Sequence, residues 1–381
     1  MGVVTNLVSQ RVCSIVNVIG IVCERKRRLV CDECHVCHLD FINTEENSLP
    51  TALIQGRIAV QYEHLLRKEL NDDWRILVWD PSSNEPNEFI AMALDADVII
   101  GGKIPTSNWP KIPKLKLFQI PWTGHDFCSP ETMPSGIPVC NCYEHETTIA
   151  EFVLCAMLET KIGLRRIDER FRAEGWGGRQ PGSSHYHGEV RNRTVGIVGY
   201  GHIGREVAQR AAAFGMRVIA IRRSKQEARP PLDWIGSTGQ LEQLLAESDF
   251  VVVACDMNKE TIGMIGAPQL AMMKHDSVII NVGRGRVIEE EALYQALKRR
   301  SIGGAVIDVW YNYIGNDKKE VWPCNYPFQE LDNVILSAHE SAAAPEQLER
   351  RWKFVAENLE RMRKGGRPEN QVFLGTATAG L

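Results

Sequence analysis

No apolar stretch of this 381-residue chain approaches the roughly 20 residues that a membrane-spanning helix needs. The longest, residues 12–23, is interrupted by Ser14, Asn17 and Gly20. Only Arg11 precedes it and no clear small-residue cleavage site follows, so it does not read as a signal peptide. There is no excess of charge of one sign either. Lys and Arg number 44 against 48 Asp and Glu, a formal charge of −4, which argues against nucleic acid or an anionic membrane surface as partner. Internal repeats and low-complexity tracts are also lacking. With 44% hydrophobic and 24% charged residues, the composition is that of an ordinary globular protein. At roughly 100–200 residues per domain, two domains are expected.

A disulfide framework is missing as well. The 11 cysteines are odd in number and sit in a chain long enough to bury a full core, which favours reduced thiols and a cytoplasmic setting. Cys31, Cys34, His35, Cys37 and His38 have the spacing of half a metal site, but no second group completes it. No metal is therefore expected, and residues 1–55 read as an irregular, Cys-containing extension.

From residue 56 the pattern becomes regular. Strands are expected over 57–60, 75–79, 97–100 and 115–120, with helices over 63–70 and 89–94 between them. This alternation implies a parallel sheet covered on both faces. Residues 56–145, joined by 340–381 with a closing helix over 346–363, read as a small flavodoxin-like α/β domain. One amphipathic helix over 146–173 and a Gly/Ser/His-rich loop over 176–188 lead into a second α/β domain, 146–339. Its six expected strands are 194–198, 217–221, 250–254, 278–282, 305–308 and 334–337. The fold is thus read as two doubly wound parallel-sheet domains, the larger a Rossmann-type nucleotide-binding unit.

Gly199-Tyr200-Gly201-His202-Ile203-Gly204 directly follows one strand and opens a helix, the context that gives a G-x-G-x-x-G run its meaning. Gly199 serves the tight turn, Gly201 admits a pyrophosphate close to the backbone, and Gly204 lets helix and strand pack. The anion then sits on the free N–H groups of the helix N-terminus. A site for NAD wants an acid at the end of the next strand, and here that strand ends Ile221-Arg222-Arg223-Ser224. Two guanidinium groups and a hydroxyl there suit a ribose 2′-phosphate, so NADP is the expected cofactor, with NAD the alternative.

Two more segments fall at carboxyl ends of later strands. Asn281-Val282-Gly283-Arg284-Gly285 presents a guanidinium between glycines, suited to a carboxylate fork. Ser337-Ala338-His339 presents an imidazole that titrates near neutrality. Each also has a plain structural reading, a surface arginine and a satisfied core histidine.

Residues 95–345 resemble the D-isomer-specific 2-hydroxyacid dehydrogenase family. The segments that carry the resemblance are the glycine turn, Glu260-Thr261, Asn281 to Gly285 with Val287-Ile288 and Glu291-Ala292-Leu293, Gly304 to Val309, and Leu331 to Val334 running into His339. The resemblance implies that Arg284 orients the substrate carboxylate and polarises its carbonyl, and that His339 is the acid in reduction and the base in oxidation. It implies that Asp308 holds the nicotinamide carboxamide, and that the cofactor site takes in His202, Ile203, Thr261 and Val282. Thr123 and Gly124 stand in the loop whose backbone N–H groups bind the carboxylate. It further implies a homodimer joined through nucleotide domains and a small 2-keto or 2-hydroxy acid bound between two domains.

One position departs from the family pattern. A Glu is usual five residues after the Asp of the Asp-Val pair, where it bonds the catalytic His and raises its pKa. Here that position is Tyr313, with Asp317 and Glu320 as acids nearby that spacing does not place. A His without this partner should titrate lower. The departure keeps a second reading open, a non-catalytic cofactor sensor resembling the family's corepressors. A third is oxidation of another small donor of the formate or phosphite type.

Overall fold

The computed structural model describes residues 49–105, 109–176, 186–224, 226–313 and 322–378. The Cys31 to His38 cluster, Asp317 and Glu320 lie outside the described residues.

The first sheet begins with β1 (Thr51–Gln55), whose five residues are all buried, and continues with β2 (Arg75–Trp79), β3 (Val98–Gly101), β4 (Leu117–Gln119) and β5 (Pro138–Cys140). The strand expected over 57–60 is not there. Those residues form a turn and a 3-10 helix, Ala59–Tyr62, and Ile58 is exposed. Two apolar runs lie side by side at this point, and the interior place between β3 and β2 is taken by the run that is covered on both faces. It is bounded by Pro50 and by Gly56, whose φ of 90° makes the turn.

The second sheet comprises β6 (Thr194–Val198), β7 (Arg217–Ile221), β8 (Trp234–Gly236), β9 (Phe250–Val253), β10 (Val278–Asn281), β11 (Gly304–Ile307) and β12 (Val334–Leu336). A last strand, β13 (Gln371–Leu374), returns to the first sheet. The strand orders are β13-β5-β4-β3-β1-β2 and β12-β11-β10-β9-β6-β7-β8. Every pairing is parallel except that of β13 with β5. Two parallel α/β sheets, each doubly wound, are therefore the fold. The short strands β5, β8 and β13 add to those read from the sequence.

The long helix expected over 146–173 is two helices. Gly163 ends Glu146–Ile162 in the left-handed region (φ 66°), its N–H bonded to the Glu159 carbonyl, and Leu164–Glu174 starts anew. The first of these packs on the helix His202–Ala213 of the second sheet's core, through Val153, Met157, Val207 and Ala211. The closing helix Pro345–Arg363 packs against Glu63–Leu70 in the first sheet's core, burying Trp352, Val355 and Leu359. Among the described residues, no helix is long and apolar enough to cross a membrane.

Between β6 and β9 the strand order reverses, because β7 and β8 extend the sheet one way and β10 to β12 the other. The crevice at the carboxyl ends of these two strands is where open α/β sheets hold ligands.

Candidate active site

The glycine turn stands at that crevice. Gly199 has φ 103°, and a Cβ there would lie 2.7 Å from the Cys255 amide nitrogen, just past β9. A Cβ on Gly204 would lie 2.4 Å from the Gly199 carbonyl oxygen and 3.1 Å from Ile197, so helix and strand touch there. A Cβ on Gly201 would meet nothing within 4 Å. Its open face, together with the N-terminus of helix His202–Ala213, which no side chain caps, forms a cradle that fits a pyrophosphate. His202 stacks on Tyr143 with ring centroids 4.0 Å apart, and its Nδ1 lies 3.6 Å from a Glu146 carboxylate oxygen.

At the end of β7 the Arg222 amide donates to the Gly236 carbonyl (3.1 Å) and its guanidinium to Gln226. Arg223 and Ser224 are exposed. Among the described residues neither arginine has an acidic partner within 4.0 Å.

Arg284 follows β10. Asn281 shapes its approach, donating from Nδ2 to the Arg284 carbonyl (3.1 Å) and accepting from the Gly283 amide (3.2 Å). The guanidinium donates to the Gly283 carbonyl (2.9 Å) and reaches across to the loop after β4, 3.6 Å from Asp126. A Cβ on Gly124 would lie 3.0 Å from Arg284 Nη2, so the guanidinium rests close on this loop. The amides of Thr123 and Gly124 make no hydrogen bond among the described residues. The Thr123 hydroxyl is used, donating to the Cys142 carbonyl (2.9 Å).

His339 lies on the loop after β12 with φ 62°, a strained conformation for a residue with a Cβ. Asp308, fully buried at the end of β11, holds that loop. Its Oδ1 accepts from Ser337 Oγ (2.7 Å), Glu340 N (2.8 Å) and Ser341 N (3.1 Å), and its Oδ2 accepts from Ser341 Oγ. Tyr313 stands where the family has its Glu, its ring 5.6 Å from the imidazole of His339. The His339 pKa is lowered: loss of hydration outweighs the attraction of the Asp308 carboxylate, and the nearby Arg284 guanidinium pushes the same way.

Residues 154–341 match the family model for the D-isomer specific 2-hydroxyacid dehydrogenase, NAD binding domain. The chain is 31% identical over 313 residues to a glyoxylate reductase of Korarchaeum cryptofilum, covering 80% of this chain and 91% of the relative. The chain belongs to the D-isomer-specific 2-hydroxyacid dehydrogenase family. A glyoxylate/hydroxypyruvate reductase B of Serratia proteamaculans is 31% identical over 314 residues, 81% of this chain and 94% of that one. Among solved structures, a family protein of Aeromonas salmonicida superposes with a TM-score of 0.69 at 24% identity, covering 86% of this chain and 99% of that one. The NADPH-dependent glyoxylate/hydroxypyruvate reductase of Sinorhizobium meliloti, solved with NADP and malonate, gives 0.66 at 23%, with 87% and 100% covered.

Two residues expected at the cofactor also have partners within the protein. The Thr261 hydroxyl donates to the Asp256 carbonyl (2.8 Å) and accepts from the Asn258 amide (2.8 Å), closing its own loop. The Val282 side chain is buried in the core. Asp308 likewise faces the histidine loop with both oxygens. Sequence reasoning missed Asp126 and a second imidazole, His145, which opens helix Glu146–Ile162. His145 lies 3.2 Å from the Thr123 hydroxyl, and burial with the Arg351 charge pushes its pKa down to about 4. The run Cys140 to Glu146, rich in polar residues just before a long apolar helix, was the available signal for it.

Proposed function

We propose that the protein is an NADP-preferring reductase of small 2-oxo acids, producing D-2-hydroxy acids. One observation carries this reading: Arg284 of the nucleotide domain rests on Gly124 of the other domain, within electrostatic reach of His339. A bound reduced nicotinamide would supply the hydride, received at C2 of the substrate. The fork of Arg284 takes the substrate carboxylate, displacing its long contact with Asp126, and the free amides of Thr123 and Gly124 bind the same group. As charge develops on the carbonyl oxygen, Arg284 polarises it and His339 delivers the proton. Asp308 acts one step back, fixing the loop on which the imidazole stands.

Gly199, Gly201 and Gly204 with His202 and Ile203 form the pyrophosphate cradle, and Arg222, Arg223 and Ser224 select the 2′-phosphate. A second copy of the chain covers helix Leu164–Glu174, which has no buried residue and exposes Leu164 and Phe171, the latter edge-on to Trp176. The family's homodimer is thereby supported. All six cysteines among the described residues are free thiols, which supports a reducing, cytoplasmic setting.

The test is NADPH oxidation in the presence of glyoxylate or hydroxypyruvate. Turnover is expected, with kcat reduced about 100- to 10,000-fold in His339→Ala, and with the preference for NADPH over NADH lost in Arg222→Asp. Tight NADPH binding without any turnover would contradict the enzyme reading and leave the sensor.

A further inference from the structure

His145 stands where the chain crosses from the first sheet to the second. β5 ends at Cys140, and helix Glu146–Ile162, which packs on the second sheet's core, begins directly after His145. The crossing segment also supports the loop that carries Thr123 and Gly124. The Cys142 amide donates to the Trp122 carbonyl (3.2 Å), and Asn141, almost fully buried, donates from Nδ2 to the Thr123 carbonyl (2.9 Å). In a trans peptide the N–H points opposite to the C=O. With both carbonyls turned onto residues 141–142, the amides of Thr123 and Gly124 are turned away from that segment, as a pair suited to one anionic group.

A third tie to this loop runs through side chains. The Thr123 hydroxyl has one proton, and it goes to the Cys142 carbonyl (2.9 Å). Only its lone pairs are left for the His145 ring, whose nearer nitrogen, Nε2, lies 3.2 Å from the same oxygen. The ring nitrogen is therefore the donor. Burial and the Arg351 charge push the His145 pKa down to about 4, so near pH 7 the imidazole is neutral and has a single N–H to give. The Arg284 charge is also felt at His145, so this bond is made beside the guanidinium that faces the same loop. An imidazole so rarely protonated near neutrality serves better to hold Thr123 than to deliver a proton.

We propose that His145 is a positioning residue: its N–H fixes the Thr123 hydroxyl, and with it the two amides that receive the substrate carboxylate opposite Arg284. The proposal rests on the 2-oxo acid reading of the site and adds a residue to it.

Steady-state reduction of glyoxylate by NADPH tests it in His145→Phe and His145→Gln. Phenylalanine keeps the bulk of the ring without a donor. KM for glyoxylate should then rise about fivefold to tenfold while kcat stays within about twofold. Glutamine keeps an N–H at a similar reach and should restore most of the KM, and NADPH affinity should be the same in all three proteins. Thr123→Val removes the hydroxyl, so in that background His145→Phe should raise KM no further, whereas a general loss of packing would add in both. An unchanged KM in His145→Phe, equal KM values in the two variants, or a rise that persists beside Thr123→Val overturns the proposal. A fall in kcat at unchanged KM overturns it too, since His145 would then act on the reacting atoms. Failure of the underlying reading shows differently, as no NADPH oxidation by the wild type with any 2-oxo acid, and overturns both.

Discussion

The glycine turn and the histidine loop sit at strand ends of one sheet and are built on opposite principles. The turn is determined by contacts that forbid side chains: Gly199 against Cys255, Gly204 against Gly199 and Ile197. Its partners are mostly within a few residues, so its shape is almost a property of the motif. The loop is determined by a buried charge some thirty residues earlier in the chain. Asp308 gathers two hydroxyls and two amides of residues 337–341, and through them holds His339 in a left-handed conformation that a free chain would avoid. One region keeps its shape because its residues are small; the other because a fully buried carboxylate holds it in place.

Asp308→Asn should separate the two most sharply. It puts an amide among donors in a fully buried site, and stability should fall by about 3 kcal/mol. kcat should drop as the imidazole loses its fixed position. Thermal melting and steady-state turnover read both effects, and NADPH affinity should change far less than kcat. Gly204→Val works on the other region. Its Cβ meets the Gly199 carbonyl and its methyls the strand behind, so a loss of about 1–3 kcal/mol is expected, with weakened NADPH binding rather than a lower chemical rate. The smallest effect is electrostatic. Tyr313→Glu should place a carboxylate beside His339, raise its pKa, and move the alkaline fall-off of reduction up by about one pH unit, readable in a pH–rate profile.

The same contrast explains what was legible beforehand. β2, β6 and β7 match their expected bounds because each is one apolar run between clear stops. The edge strands β8 and β13 escaped notice because they are short and only part-buried, with no apolar pattern demanded of them. The strand expected over 57–60 gives way to the neighbouring run that forms β1, and the helix expected over 146–173 runs through Gly163 because periodicity is blind to a single left-handed residue. The glycine turn, Arg284 and His339 were named from their places at strand ends. The tie from Asp308 to Ser341, the hydroxyl of Thr261 turned into its own loop, and the contact of Arg284 with Asp126 could not be named. The first and last join residues whose meeting depends on the completed fold, and the Thr261 turn is local but leaves no trace in apolar periodicity.

The central claim is that His339 gives the proton in reduction without a carboxylate at position 313. The pH dependence of NADPH oxidation by glyoxylate in a single turnover tests it directly. Reduction needs the protonated imidazole, and a lowered pKa depopulates that form early as pH rises. The rate should therefore fall with a midpoint below about 6.5, the ordinary histidine value, and the dependence should disappear in His339→Gln. A rate sustained well above neutrality, or a midpoint unchanged in His339→Gln, would contradict the account.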